Sequence, residues 1–313
     1  MKQQISMKKS KSPTLNEAFL LFERKCKVNN LSVNTINTYK IAYKIFTDFI
    51  SGDTLVSAIS HDTVDDFIMY LRENQNINNI SVNSYLRNMR VILYYFMECN
   101  WMESFRIKMT RVEKKIKETY TDDELQRLLV KPDINSCSFA TYKVWVFENY
   151  LLGTGNRLSS ALNVQIKDID FENGTILIKK SKNKRQQIIP LSNTLSNILK
   201  EYLEIRGDDP EEYLFCNNYG EQASCRTFQQ LVRGYNIKRN VNKTSCHLFR
   251  HTFAKNWILA GGDIFRLQKI LGHSDLTVTK EYVQMFGADL QLDFEKFNPL
   301  DRLSHKPTQI EMR

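Results

Sequence analysis

The stretch GTILIKKSKNKRQQIIPL, residues 174–191, decides the fold class, because it carries the one clear β-structure signal in the chain. Two β-prone runs flank a polar, lysine-rich turn, which predicts a β-hairpin. On both sides of this stretch the apolar residues recur at helical spacing. We therefore expect a mainly α protein with a small β-sheet, in which an α+β domain surrounds the hairpin.

Upstream of that domain the sequence predicts four short helices. Thr14 and Glu17 form the capping-box pattern that starts the first helix, and Asp62 begins the third. The second and fourth helices carry apolar stripes at three- and four-residue spacing. The stripe residues are Ile36, Tyr39, Tyr43, Phe46 and Ile50 in the second helix and Tyr85, Leu86, Met89, Ile92, Leu93 and Phe96 in the fourth. Helices this short and this close in sequence predict one small bundle.

The length of the chain leaves room for about two domains. We predict a basic tail at 1–13, a helical domain at 14–104, a linker at 105–118, a second domain at 119–290 and a C-terminal segment at 291–313. The linker is poor in apolar periodicity and carries Arg106, Lys108, Arg111, Lys114, Lys115 and Lys117. A solvated surface helix is the alternative interpretation of this charge run. The second domain starts at another capping-box pattern, Thr121 with Glu124.

Charge and cysteine usage narrow the class of protein. The chain has 44 Lys and Arg against 35 Asp and Glu, a formal net charge of +9, which favours a polyanionic partner such as nucleic acid. Solubility alone is the other explanation of this charge. The six cysteines form no CxxC pair, so neither a zinc site of the knuckle type nor a disulfide framework is expected. Without an apolar run long enough to span a membrane, we expect a cytoplasmic protein and no membrane partner.

Two stretches place a cation next to a turn. In GTGNR, residues 153–157, Arg157 follows a glycine turn of the kind that ends a helix. Lys182 lies in SKNK, at the tip of the predicted hairpin. In isolation each is more simply interpreted as a solvated surface residue. A functional role for either one therefore depends on which residues lie near it in the fold.

Two further stretches each contain a histidine and a second candidate catalytic residue. HLFRH puts His247 and Arg250 on one face of a helix, where both can reach a single anion. LGHSDLTVTKEY ends a helix at a glycine, presents His273 just after it and finishes on Tyr282. Neither pattern is specific alone, because a chance HxxR is common in a chain of this size.

Together these residue types suit phosphoryl transfer. The two arginines can neutralise the non-bridging oxygens of a phosphodiester, since a guanidinium binds phosphate in a bidentate way and stays charged. The tyrosine can attack phosphorus if a base or a positive field helps to remove its proton. Either histidine can act as that base or stabilise the charge that develops on phosphorus. The lysine is a suitable general acid for the departing sugar oxygen. The set is complete for transfer through a phosphotyrosine.

At these motifs the sequence resembles the tyrosine recombinase (phage integrase) family. The matching stretches are LSVNTINTYKIAYKIFTDFI and TDDELQRLL, followed by GTGNRLS, SKNKRQQIIPL, HLFRHTFA and LGHSDLTVTKEY. The resemblance implies a helical DNA-grasping domain and an α+β catalytic domain of tyrosine-recombinase type. It assigns the catalytic residues Arg157, Lys182, His247, Arg250 and His273 and the nucleophile Tyr282.

The resemblance also implies a mechanism and an assembly. The tyrosine cleaves one strand of double-stranded DNA and leaves a 3′-phosphotyrosine and a free 5′-hydroxyl, which attacks a partner duplex through a Holliday junction. Because the bond energy is stored covalently, no cofactor is implied. Family members act as tetramers on two DNA sites, usually with a C-terminal segment docked on a neighbour, for which 291–313 is the candidate. The six basic linker residues are expected to contact DNA.

Two positions and three alternatives remain open. Ser160 stands where the family usually has an acidic residue that supports the first arginine, and we interpret His251 as a packed helix residue. The favoured role is integration or excision of a mobile element, with chromosome-dimer resolution as the alternative. A type IB topoisomerase and a DNA-binding protein with a decayed site are the other interpretations.

Overall fold

The computed structural model describes residues 12–74, 77–111, 117–179, 186–217 and 219–286, together with 298 and 300. The chain divides into two compact units, Met1–Lys115 and Ile116–Arg313. The domain limits drawn from the sequence stay predictions. Apart from positions 298 and 300, the predicted C-terminal segment 291–313 lies outside the described residues. Within the described ranges, no helix combines the length and the apolar character needed to cross a membrane.

The first unit is helical, as the apolar stripes predict. Its described helices are α1 (Leu15–Val28), α2 (Val33–Phe49), α3 (His61–Asn74) and α4 (Asn79–Glu98). The capping box before α1 is confirmed: the Glu17 amide donates to Thr14 Oγ1 at 3.3 Å and the Thr14 amide donates to the Glu17 carboxylate at 2.9 Å. Phe46, Phe67 and Phe96 are buried in one core. The predicted bundle is therefore confirmed.

The stretch 105–111 follows this bundle as an irregular segment with no helix. Asn83 of α4 holds it in place, because its side-chain amide donates to the Thr110 carbonyl and its side-chain oxygen accepts from the Thr110 amide, both at 2.8 Å. Ile107 is buried in the core of the first unit. Of the basic residues in the predicted linker, Arg106, Lys108 and Arg111 are exposed, Lys117 is half-buried, and Lys114 and Lys115 lie outside the described residues.

The second unit combines helices with a small sheet. Its described helices are α5 (Asp122–Leu129), α6 (Phe139–Thr154), α7 (Leu158–Ala161), α8 (Asn193–Arg206), α9 (Cys225–Lys238), α10 (Cys246–Leu259), α11 (Ile264–Leu271) and α12 (Leu276–Phe286). The capping box of Thr121 with Glu124 is present at the start of α5. A helix that is apolar on nearly every face belongs in the middle of a domain, and α6 accordingly contacts α5, α8, α9 and α10.

The predicted hairpin forms the main part of an antiparallel sheet. Its strands β1 (Ile169–Asp170), β2 (Thr175–Ile178) and β3 (Gln187–Pro190) lie in the order β1-β2-β3. Ile176 pairs with Ile189, and both are buried against the helices. The hairpin tip that carries Lys182 lies outside the described residues. The sequence did not indicate β1, because a two-residue strand is too short to show an alternating pattern.

One buried carboxyl group in α6 makes stability depend on pH. Glu148 is fully buried, and its two carboxylate oxygens have no hydrogen-bond partner among the residues that the structure describes. Burial raises the pKa of Glu148 well above its ordinary value, and Arg239 offsets only part of that effect. The folded protein therefore keeps this group protonated at pH values where the unfolded chain has released the proton.

We expect Glu148→Gln to stabilise the protein increasingly as pH rises above 4.5, the ordinary value for this side chain. Above that pH its advantage in unfolding free energy should grow by up to about 1.4 kcal/mol per pH unit, because the wild type must hold a proton that the unfolded state loses. Denaturant titrations at several pH values measure this. A pH-independent difference would contradict the prediction.

Glu124→Gln is the matched control, with the opposite sign. Burial raises the pKa of Glu124, but hydrogen bonds from Lys243 and Thr121 outweigh it and leave the pKa below its ordinary value. The stabilisation by this carboxylate is present above the unfolded pKa and is lost as pH falls through the folded one. The variant should be less stable than wild type at neutral pH, and the difference should shrink in acid.

Candidate active site

The end of α6 positions the first arginine of the site. The helix stops at Gly155, whose φ of 62° is left-handed and therefore suits glycine. This confirms the glycine turn expected before Arg157. The Arg157 backbone then caps α7, and its half-buried guanidinium has no hydrogen-bond partner among the described residues. Burial lowers the pKa of Arg157, and the nearby Tyr282 raises it.

Arg250 is the most deeply placed cation of the site. Only 2% of it is exposed, and its guanidinium donates to the Gly155 carbonyl at 2.9 Å and the Leu271 carbonyl at 2.8 Å. It also lies 2.7 Å from His273 Nε2. Burial first, and then the charge of Arg157, lower the pKa of Arg250 to about 10, so it stays charged at neutral pH. The two guanidinium groups are thus held close together against their mutual repulsion.

His273 has both ring nitrogens engaged. Nε2 faces Arg250, which can only donate, so Nε2 must accept and Nδ1 must carry the proton. Nδ1 then donates to Thr279 Oγ1, 2.8 Å away on α12, and Thr279 is fully buried. Burial, followed by the charges of Arg250 and Arg157, lowers the pKa of His273 to about 3. His273 is therefore a neutral imidazole in a fixed tautomer.

Tyr282 lies inside this group of residues in the same chain. It is 2% exposed, and its ring is nearly parallel to that of His273, with centroids 6.4 Å apart. Burial raises the pKa of Tyr282, while the charge and hydrogen bond of Arg250 and the charge of Arg157 act in the opposite direction. The hydroxyl is thus placed in the positive field of the two arginines of its own chain.

Two histidines of α10 stand beside the tyrosine. His251 Nδ1 is 2.7 Å from the Tyr282 hydroxyl. The rings of His247 and His251 meet edge to face with centroids 4.6 Å apart, and His247 is exposed. Burial, then His247, Lys117 and Arg250, lower the pKa of His251 to about 4, which makes it neutral at physiological pH. The interpretation of His251 as merely a packed helix residue missed this contact.

Lys117, at the end of the predicted linker, also enters the site. Its ammonium lies 4.5 Å from the centroid of the Tyr282 ring and forms an ion pair with Glu281 at 2.9 Å. The sequence suggested only a phosphate contact for this residue, since nothing in a run of basic residues shows which one folds back onto a tyrosine. Lys117 therefore contacts two neighbouring residues of α12, Glu281 and Tyr282.

Five of the six predicted catalytic residues lie together, and the sixth cannot be placed. Arg157, His247, Arg250, His273 and Tyr282 are brought together, whereas Lys182 lies outside the described residues. Ser160 is buried in α7, where its amide donates to the Arg157 carbonyl at 2.9 Å. Its hydroxyl provides no charge to pair with the neighbouring guanidinium. Within the described ranges, no cluster of His, Cys, Asp or Glu has the composition of a metal site.

A tyrosine hydroxyl facing two guanidinium groups, on a helical domain with a small sheet, defines the class of enzymes that break and rejoin DNA through a tyrosine. Residues 118–287 match the phage integrase family, and residues 14–116 match the phage integrase SAM-like domain. The chain belongs to this tyrosine recombinase family and is a DNA-binding enzyme of DNA recombination.

Curated relatives extend over most of the chain. It is 24% identical to the tyrosine recombinase XerD of Staphylococcus epidermidis over 280 residues, which cover 86% of this chain and 94% of that protein. It is 27% identical to the tyrosine recombinase XerA of Thermococcus kodakarensis over 292 residues, covering 92% and 98% respectively. These similarities include both units.

Solved structures share the fold. The integrase of transposon Tn1549, in complex with a circular intermediate DNA, superposes with a TM-score of 0.72 at 20% identity, covering 87% of this chain and 95% of that one. The XerH recombinase bound to its difH substrate gives a TM-score of 0.69 at 22% identity, covering 88% and 82%. The mainly helical fold with a small sheet is therefore confirmed.

Gly155→Ala should damage the site through its backbone. A Cβ there would lie 2.7 Å from Phe253 Cδ1 and 2.9 Å from Leu271 Cδ2, and the left-handed conformation disfavours any side chain. We expect a loss of about 2 kcal/mol or more in unfolding free energy. Gly234→Ala is the control, because that position in α9 has open space and should gain about 0.5–1 kcal/mol. Equal effects of the two substitutions, measured by denaturant titration, would contradict this account.

Thr279→Val should release His273 from its tautomer. Valine keeps the shape but removes the acceptor of the Nδ1 proton, so we expect strand cleavage to slow by about tenfold or more. Thr277→Val is the control, since Thr277 is exposed on the same helix. Single-turnover cleavage of bound DNA measures both. Unchanged cleavage by the Thr279 variant would show that the hydrogen bond to His273 has no part in the reaction.

Proposed function

We propose that this enzyme is a site-specific recombinase that cuts one DNA strand by attack of Tyr282 on a phosphodiester. The attack forms a bond between the tyrosine oxygen and phosphorus and releases the 5′-oxygen of the neighbouring nucleotide. The free 5′-hydroxyl of a second duplex then attacks the 3′-phosphotyrosine, so that strands are exchanged through a Holliday junction.

The observation that carries the proposal is the pairing of two uncompensated guanidinium groups with one tyrosine. Arg157 and Arg250 lie close enough for each to influence Tyr282, and no described carboxylate pairs with either of them. Two like charges kept together in a partly buried place are stabilised by an anion that binds between them. A phosphodiester satisfies this requirement, and its charge grows on the non-bridging oxygens during attack.

The other roles follow from position and chemistry. His247, exposed beside Arg250, is placed to donate to a non-bridging oxygen, and the neutral His273 keeps Arg250 oriented. For the departing 5′-oxygen we assign the proton to Lys182, on the sequence resemblance alone, because a lysine at a hairpin tip can reach a bound substrate. Five of the proposed catalytic residues lie together, which argues against the alternative that this is a DNA-binding protein with a decayed catalytic site.

The assembly and the biological role are proposals at a coarser level. We infer a tetramer on two DNA sites, since strand exchange needs two duplexes and each cut strand needs its own tyrosine. Integration or excision of a mobile element is the favoured role, because the Tn1549 neighbour is a transposon integrase bound to a circular intermediate DNA. The basic residues Arg106, Lys108 and Arg111 are exposed, as contacts to the phosphate backbone require. We infer a cytoplasmic location from the proposed DNA substrate.

Tyr282→Phe and Arg157→Lys test the proposal on nicked suicide DNA, in which the cut strand cannot be rejoined. Wild type should accumulate a covalent protein–DNA species, and the phenylalanine variant should form none. The lysine variant should cut at least about 100-fold more slowly, because an ammonium cannot replace a bidentate guanidinium facing the developing charge. Since most affinity comes from many phosphate contacts, its DNA binding should stay within about tenfold of wild type.

Two results would overturn the proposal. Equal covalent trapping by wild type and the phenylalanine variant would remove Tyr282 from the reaction. If purified wild type relaxed supercoiled DNA but never exchanged strands between two linear duplexes, the enzyme would be a topoisomerase.

A further inference from the structure

The structure assigns the proton of the nucleophile to His251: we propose that its Nδ1 accepts the Tyr282 hydroxyl proton as the phenolic oxygen attacks phosphorus. This proposal rests on the proposed function and adds a catalytic residue to it. It starts from the 2.7 Å hydrogen bond between His251 Nδ1 and the Tyr282 hydroxyl.

His273 cannot take this proton in the arrangement observed. Its Nε2 accepts from Arg250 and its Nδ1 donates to Thr279, so neither nitrogen has a lone pair available for the tyrosine. The planes of its ring and the Tyr282 ring are only 6° apart, with the centroids separated by 6.4 Å. The sequence-based expectation that His273 could deprotonate Tyr282 therefore does not fit this geometry.

The other hydrogen bond of the Tyr282 hydroxyl indicates that this group donates its proton to His251. Arg250 also hydrogen-bonds this oxygen and can act only as a donor. An arginine donating to a phenolic oxygen stabilises the negative charge that appears when the proton leaves. With the arginine on one side and an imidazole nitrogen on the other, the group is arranged for its proton to move from Oη to Nδ1.

The protonation state of His251 fits a proton acceptor. Its pKa is lowered to about 4, by burial first and then by His247, Lys117 and Arg250, so the free enzyme presents a neutral imidazole. The same cations would oppose a charged imidazolium. The scissile phosphate supplies negative charge at this point, which offsets Arg250 and Lys117 and raises the basicity of His251 when DNA is bound. Proton acceptance is thus coupled to binding of the substrate.

The step balances as follows. The Oη–P bond forms while the P–O5′ bond breaks, the Oη proton passes to His251 Nδ1, and the 5′-oxygen takes a proton from the general acid, for which Lys182 is proposed. In the rejoining step the 5′-hydroxyl attacks phosphorus and gives its proton to the deprotonated general acid, the P–Oη bond breaks, and the imidazolium of His251 returns its proton to the departing Tyr282 oxygen. One group therefore serves both directions of the reaction.

His251→Ala and His251→Asn separate a proton acceptor from a positioning group. The asparagine side chain can keep a hydrogen bond to the tyrosine near the position of Nδ1, but an amide does not accept a proton at neutral pH. We expect both variants to cleave suicide DNA at least about 100-fold more slowly than wild type, the usual contribution of general base catalysis. Their thermal unfolding and DNA binding should match wild type.

A substrate with sulfur at the 5′-bridging position identifies the side of the reaction on which His251 acts. A thiolate leaves without being protonated, so this substrate should relieve the defect of Lys182→Ala and leave the His251 variants slow. In wild type, cleavage of the sulfur substrate should rise with pH to a plateau as His251 loses its proton, and the asparagine variant should lack this rise. The groups that face His251 and shift this limb are His247, Arg250, Lys117 and Tyr282.

Each other outcome overturns the inference. Wild-type rates in His251→Ala would remove the residue from the reaction, and wild-type rates in His251→Asn alone would make it a positioning residue. Relief of the His251 defects by the sulfur substrate would move the residue to the leaving-group side. Failure of wild type to form any covalent complex would instead overturn the proposed function, so the two failures are distinguishable.

Discussion

The buried guanidinium of Arg250 is the interaction on which the rest of the site depends. From α10 it bonds the carbonyl that follows α6 and, at the end of α11, the last carbonyl of that helix and the ring of His273, so a single side chain joins three parts of the second unit. A buried charge of this kind is stable only when its donors are satisfied. The carbonyls provide part of that satisfaction permanently, which allows the same group to remain charged and fixed beside Tyr282. The geometry of the tyrosine therefore depends on how two helices end as well as on the residues next to it.

Helix ends are also the features that the sequence predicted best. The capping boxes at Thr14 and Thr121 and the glycine turn at Gly155 have local patterns, and all three are present. The core of the first unit was readable for the same reason, since its apolar stripes follow the helical period. The order of motifs then led to the residues that the structure gathers around Tyr282.

Contacts between residues far apart in the sequence could not be predicted from local patterns. Nothing local indicates that His251, rather than either neighbouring histidine, approaches the Tyr282 hydroxyl, because that contact is set by the crossing of α10 and α12. The same is true of Lys117, which is one of six basic residues between positions 105 and 118 but whose ammonium lies over an aromatic ring. Ser160 is a departure that the sequence did show. Its consequence, a first arginine without a described acidic partner, became clear only from the packing around it.

Tyr282 and the arginines that face it belong to one chain and to one compact unit. In genetic terms this makes the site indivisible: in this arrangement, two copies with different defects in it cannot complement each other by pooling their intact residues. In the proposed tetramer, an altered copy that still occupies its place on DNA would act as a dominant inhibitor of its intact neighbours.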